Sequence, residues 1–238
     1  MKLALIGYGK MGKAIEEIAV QRGHEVVLAI SRSNLTEFTA ANLQQADVAI
    51  EFTSPHSALS HVTKCLEAGV SVVCGTTGWT GKLDEAKRAA ESTKTGFVYA
   101  SNFSVGVNIF FELNKKLADL MSNQEEYDVA LREIHHTQKK DAPSGTAITL
   151  AEQILSAVKR KKQWINETSE RTEDLEIISE RTDPAPGTHH VTYSSPIDTI
   201  EIIHTAHSRK GFAAGAVLAA EFIKGKQGYF TMNDVLQL

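Results

Sequence analysis

Apolar residues fill the chain from Leu3 to Ile6 and stop at Gly7, which predicts a short buried strand. Met11, Ala14, Ile15, Ile18 and Ala19 then recur at helical spacing, and Gly23-His24 closes that helix. Residues 25–30 (EVVLAI) predict a second strand. Together these make a βαβ unit of about 30 residues, the size of a crossover. The alternation continues with a strand over 46–52 (ADVAIEF) and a turn and helix over TSPHSALSHVTKCLEAG. A strand over 70–74 (VSVVC), a charged amphipathic helix over 82–93 and a strand over 96–100 (GFVYA) follow. Helices alternating with unbroken apolar strands predict an α/β fold with a parallel, doubly wound sheet.

After Asn102 the pattern changes. Val107, Phe110, Phe111, Leu117 and Met121 fall at helical spacing, and Ala147, Ile148, Ala151, Ile154, Leu155 and Val158 form a second helical stripe. Between them, 127–135 alternates with period two, as a strand with unlike faces does. Residues 175–178, 189–193 and 200–204 predict strands with no clear helix between them. This stretch is expected to be α+β with a largely antiparallel sheet. A final helix is expected over 215–223, where small residues permit close packing.

Composition narrows the class. The chain has 238 residues, of which 42% are hydrophobic and 23% charged, so it builds its own core and is neither disordered nor a disulfide scaffold. Net charge is 25 − 29 = −4, which speaks against nucleic-acid binding driven by global charge. No apolar run reaches the ~20 residues of a membrane span, and the apolar stretch at the start is too short for a signal-peptide core. Cys65 and Cys74 are too few for a framework and lack metal-site spacing; reduced thiols suit the cytoplasm.

The first candidate chemistry is GYGKMG, Gly7 to Gly12, between a predicted strand and a predicted helix. Gly7 suits a tight turn, Gly9 a close approach of backbone to a pyrophosphate, and Gly12 close helix–strand packing. The string alone also suits a merely structural turn; the βαβ context favours a dinucleotide. The carboxylate expected at the end of the second strand is absent; Ser31 and Arg32 stand there. That pair favours a ribose 2′-phosphate, hence NADPH over NADH, unless Arg32 is only a solvated loop residue. FTSP (52–55) and GTTG (75–78) follow two further strands and suit either a nicotinamide or ordinary turns and caps.

The second candidate is EIHHTQKKDAPSGTA, residues 133–147. A strand ends in His135 and His136, Lys139 follows, and a turn leads to Ser144, Gly145 and Thr146 at the start of a helix. Hydroxyls and a glycine at a helix start make an anion site, beside which the lysine and histidines add charge and a proton donor. Each part has a plainer reading: Ser144 as an N-cap, His135 as a satisfied strand-end histidine, Lys139 and Lys140 as surface charge. Their clustering favours capture of a carboxylate with acid catalysis next to it. A non-catalytic NADP-binding sensor would need the glycine loop but no such acid group.

This string resembles the signature of the dihydrodipicolinate reductase family, the 4-hydroxy-tetrahydrodipicolinate reductases of lysine and diaminopimelate biosynthesis. FTSP, VVCGTTGW, ASNFSVGVN, HTAHSRKGFAAGA and GYFTMNDVL match in order, so the resemblance spans nearly the whole chain. It implies reduction of a small cyclic, unsaturated dicarboxylate by hydride from NAD(P)H, in a homotetramer. It implies His135 as proton donor or acceptor, Lys139 as second proton donor, and His136, Gly145 and Thr146 as substrate contacts. Cofactor contacts are implied at Gly7, Tyr8, Gly9, Lys10, Met11, Arg32, Gly75, Thr76, Thr77, Ala100, Ser101, Asn102 and Phe103. A Rossmann-type domain over 1–106 plus 210–238 and an inserted substrate-binding and oligomerisation domain over 107–209 are expected.

The chain departs from the family in three places. Its nucleotide loop is a residue shorter than the common G-x-x-G-x-M-G, Ser31 replaces an acidic residue, and the span from Ile178 to His204 is short. No metal site is expected: His189 and His190 are neighbours on a strand and face opposite ways. His24, His56 and His61 are isolated, and Lys159 to Lys162 complements a helix end. His204 and His207 carry no assigned role; Arg209 suits a substrate carboxylate, the cofactor or a structural ion pair.

Overall fold

The first strand, β1 (Lys2–Ile6), is buried on both faces, which is why its sequence is apolar without alternation. In the computed structural model, which describes residues 1–208 and 210–238, β1 leads through α1 (Lys10–Gln21) to β2 (Glu25–Ile30). The short helix α2 (Ala40–Leu43), β3 (Val48–Glu51), α3 (Ala58–Glu67), β4 (Ser71–Cys74), α4 (Leu83–Thr93) and β5 (Gly96–Tyr99) follow. The chain then forms α5 (Val105–Met121), β6 (Asp128–His135), α6 (Gly145–Ala157), β7 (Gln163–Ile165), β8 (Asp174–Arg181), β9 (Gly187–Ser194) and β10 (Thr199–Ala206). It closes with α7 (Lys210–Ile223), β11 (Gly228–Phe230) and α8 (Met232–Leu236).

Two units separate, one comprising Met1–Val105 with Lys210–Leu238 and the other Gly106–Arg209. The first unit holds an all-parallel six-stranded sheet, ordered β11-β5-β4-β3-β1-β2. Ala4 and Ile6 of β1 face a core shared with α3 and α4, while Leu3 and Leu5 face one shared with α1 and α7. Helices on both faces are the doubly wound arrangement expected from the sequence. The end of α1 is tied to α7 by Arg22, whose Nε and Nη2 donate to Glu221 at 2.9 and 2.6 Å, with His24 Nε2 2.7 Å from the same carboxylate. After β2 the chain crosses back, and β3 pairs on the opposite side of β1. That reversal opens a crevice at the carboxyl ends of β1 and β3, where ligands bind in such sheets.

The second unit has a five-stranded sheet, ordered β10-β9-β6-β8-β7. It is mixed, not largely antiparallel as the sequence suggested: β6 pairs β8 and β7 pairs β8 in parallel, whereas β9 with β6 and β10 with β9 are antiparallel. The reason is α6, a crossover that carries the chain back over the sheet so that the following strands run with β6. Val129, Leu131, Glu133 and His135 fall on the buried face of β6, and the core there is completed by α5 and α6. The span from Ile178 to His204 holds the end of β8, all of β9 and most of β10, joined by two short turns.

Candidate active site

The glycine loop after β1 has the geometry that its sequence demands. Gly7 has φ of +102°, and a Cβ there would fall 2.0 Å from the Phe52 carbonyl oxygen; a Cβ at Gly12 would fall 2.7 Å from the Gly7 carbonyl oxygen. Side chains are therefore excluded at both points. Gly9 caps α1 without a side-chain bond, no acidic residue occupies the first turn, and nothing lies within 4 Å of where its Cβ would be. The first N–H groups of α1 thus face open space, as an anion requires.

A groove of about 640 Å³ runs from Gly7, Tyr8 and Gly9 to Ser31, Arg32 and Ser33 at the end of β2. A second cavity of about 390 Å³ runs from Gly9, Lys10 and Met11 to Gly75, Thr76 and Thr77 after β4. The two share Gly7, Gly9, Phe52 and Thr53, and so form one path across the switch point. Its length and its bare helix terminus fit a dinucleotide. Asn34 shapes the Ser31 turn by accepting from Ser31 N at 2.7 Å. Among the described residues no carboxylate pairs with Arg32, which is exposed.

A fully buried carboxylate, Glu51, organises the loops on the far side of that path. It accepts from the Thr76 hydroxyl at 2.8 Å, from Cys74 Sγ at 2.9 Å and from the Thr53 hydroxyl. The Thr76 oxygen in turn accepts from Thr53 N at 2.7 Å, so the loops after β3 and β4 are clamped together. Thr76 is therefore buried and its hydroxyl committed, while Thr77 is exposed. Of the stretch after β5, Ser101 is exposed and Ala100 and Asn102 are half-buried, but the Phe103 side chain is 2% exposed and belongs to the core. Only the Phe103 backbone could meet a ligand, and its carbonyl already abuts α7 at Gly215, where a Cβ would lie 1.7 Å away.

In the second unit, the residues of the 133–147 string converge. His135 is the last residue of β6 and mostly buried; Ser144 caps α6, its hydroxyl accepting from Ala147 N at 3.2 Å and lying 3.2 Å from His189 Nε2. The plainer reading of Ser144 as an N-cap is thus realised. Gly145 and Thr146 keep first-turn N–H groups with no intrahelical acceptor. Lys139 Nζ lies 2.7 Å from Asp141, and the lysine holds the Asp141 carboxyl below its ordinary range. His136 follows directly at the strand end, half-buried. Arg209 lies outside the described residues.

Beneath His135 sits Glu133, wholly buried. It accepts from Ser144 N at 3.1 and 3.2 Å, Ser179 Oγ at 2.8 Å and Arg181 Nη2 at 3.1 Å. Burial pushes its carboxyl up, but these hydrogen bonds outweigh burial and hold it below the usual range. Burial pushes His135 down, against the pull of Glu133. His189 is pushed down to about 3 by burial and then by His135. Glu133, His135 and His189 offer ligand atoms within 4.8 Å of one another, but a cation there would compete with the Arg181 guanidinium.

Comparison with known proteins places this geometry. Residues 1–103 match the family model described as dihydrodipicolinate reductase, N-terminus, and residues 106–236 the one described as dihydrodipicolinate reductase, C-terminus. The chain belongs to the dihydrodipicolinate reductase family. A 4-hydroxy-tetrahydrodipicolinate reductase of Christiangramia forsetii is 49% identical, over 99% of this chain and 98% of its own. One from Neisseria gonorrhoeae is 38% identical, over 94% and 84%. The solved structure of dipicolinate-bound dihydrodipicolinate reductase from Paenisporosarcina sp. TG-14 superposes with a TM-score of 0.78 at 24% identity, over 98% of both chains, and so shares the fold.

Three residues of this family member's site escaped the sequence reading: Glu51, Glu133 and His189. A lone carboxylate in the apolar run ADVAIEF was the available signal for Glu51. For Glu133 it was the period of two, which sets Glu133 and His135 on one face. For His189 the sequence offers only its neighbour His190; in the fold it faces Glu133 directly across the β6–β9 ladder.

Proposed function

We infer that the chain catalyses NAD(P)H-dependent reduction of (hydroxy-)dihydrodipicolinate to tetrahydrodipicolinate. The observation that carries this reading is the convergence of His135 and the open start of α6 on one buried carboxylate, Glu133. It supports a proton donor and a carboxylate-binding helix terminus at one strand end. Bound NAD(P)H supplies the hydride. Hydride addition to a conjugated C=C–C=N unit leaves an enamine-like negative charge on the ring, which takes a proton at the carbon next to the imine. His135 is the group suited to give that proton, and the Gly145 and Thr146 N–H groups, with the Thr146 hydroxyl, suit a ring carboxylate. Lys139 adds positive charge beside the developing anion once it leaves Asp141.

NADPH is proposed as the preferred cofactor, supported by Arg32 at the end of β2 with no carboxylate neighbour in the groove. The second unit is proposed to bind substrate and to assemble a homotetramer, supported by Ile197, Ile200 and Ile203, which are 83%, 39% and 51% exposed at or near the edge strand β10. Cytoplasmic location is proposed from the two free, buried cysteines. No described helix is long and apolar enough to cross a membrane.

The test is NADPH oxidation by the purified chain with and without the cyclic dicarboxylate. Oxidation that depends on that substrate, and falls roughly 10²- to 10⁴-fold in His135→Gln and Lys139→Ala, is the expected result for general acid catalysis. A folded His135→Gln protein with near-normal kcat would refute the role of His135.

A further inference from the structure

We propose that Glu133 is the positioning residue of the acid group: its carboxylate orients His135 with Nδ1–H turned inward and Nε2 as the atom that carries the transferable proton. The proposal rests on the reading of His135 as the proton donor.

Three observations carry it. His135 Nδ1 is buried with no hydrogen-bond partner within ordinary limits, and the Glu133 carboxylate lies 3.4 Å away. A modest rotation of the ring closes that gap; apo geometry at such sites is commonly long. Second, Glu133 is itself immobilised, by Ser144 N at the start of α6, by Ser179 on β8 and by Arg181 at the end of β8. It therefore ties the imidazole to the same helix terminus that suits the ring carboxylate. Third, the backbone packed beside Nε2 must be glycine. A Cβ at Gly187, the first residue of β9, would lie 2.9 Å from His135 Nε2. His189 packs edge-on against His135 at 5.1 Å between ring centres.

The charges facing His135 are Glu133 from its own strand, Lys139 and Asp141 from the following loop, and Arg181 from β8; His189 on β9 is neutral there. Of these, Glu133 alone is a fully buried anion, so it decides which ring nitrogen keeps its proton. When His135 gives the Nε2 proton to the substrate carbon, the ring is left neutral with Nδ1–H still toward Glu133, and the carboxylate stays charged throughout. Orientation of an imidazole by a buried carboxylate is the general logic of such pairs.

The test uses the full chain and two readouts. In Glu133→Gln, the His135 ring followed by NMR should titrate about one unit or more lower than in the unsubstituted protein, the size of shift an adjacent opposite charge produces. The descending limb of kcat/KM for the dicarboxylate should move down with it, and kcat should fall about 10- to 100-fold. NADPH affinity should be unchanged. Glu133→Asp, which withdraws the charge by one methylene, should shift the titration the same way by less. It serves as the reporter if the Gln protein does not fold. A His135 titration and pH limb unchanged in whichever variant folds would overturn the positioning role. Normal turnover by His135→Gln would instead overturn the proton-donor reading, so the two failures are distinguishable.

Discussion

Arg32 and Glu51 bear on the proposed cofactor path by different physics, and single substitutions separate them. Arg32 is exposed and offers a planar, bidentate donor to a phosphate. Arg32→Ala should raise the KM for NADPH several-fold and leave NADH nearly unchanged in steady-state kinetics. Equal losses with both cofactors would remove the 2′-phosphate assignment. Glu51 touches no solvent, and three side-chain donors depend on it. Glu51→Ala strands the buried Cys74 and Thr76 donors in the interior, at about 1–3 kcal/mol for each group left unsatisfied, whereas the exposed Thr53 hydroxyl keeps Ser57 and solvent. It should lower the denaturant midpoint and weaken both cofactors alike, because the loops after β3 and β4 lose their clamp. An unchanged midpoint would mean that the loops hold themselves.

At the scale of elements, the helix start at Ser144 does two jobs. Its cap and its Ser144 N–H bond to Glu133 fix the end of the turn, and the next two N–H groups have no intrahelical acceptor, as the proposed carboxylate site needs. Thr146→Val removes one hydroxyl from that terminus without touching the cap. Calorimetry with dipicolinate should show binding weakened on the order of 1.5–3 kcal/mol, as for a hydrogen bond to a charged group, with NADPH affinity unmoved. Loss of NADPH binding with dipicolinate binding intact would misplace the carboxylate site. Local signals of this kind were legible in the sequence. GYGKMG lies within its βαβ unit, and the hydroxyl–glycine start of α6 follows a strand, so spacing alone locates both. The mixed pairing of β7 and β8 was not legible, since strand direction depends on how α6 crosses the sheet, which no residue period encodes. Nor was the contact of His189 with Glu133, 56 residues apart, which exists only through the β6–β9 register.

For the whole molecule, the buried histidines link the site to stability. His189 has a folded pKa near 3 against roughly 6.5 for an unfolded histidine, because burial disfavours its cation. Between those values the unfolded chain binds the proton and the folded chain does not. Stability therefore rises with pH across the window and is lost as pH falls through it. His135 and His204 are shifted in the same direction, and so is Glu133, whose depressed carboxyl also favours the folded state at higher pH. At about 1.4 kcal/mol per unit, His189 alone should contribute roughly 2–3 kcal/mol of difference between about pH 7 and pH 4.5. Urea unfolding across that range should show a midpoint that falls steadily on acidification. His189→Asn cannot titrate, and its side chain can still meet the Ser144 hydroxyl, so its midpoint should be lower at neutral pH but should fall less steeply. Parallel slopes for the two proteins would mean that His189 accepts its proton without unfolding, and that the pocket around Glu133 tolerates a second cation beside Arg181.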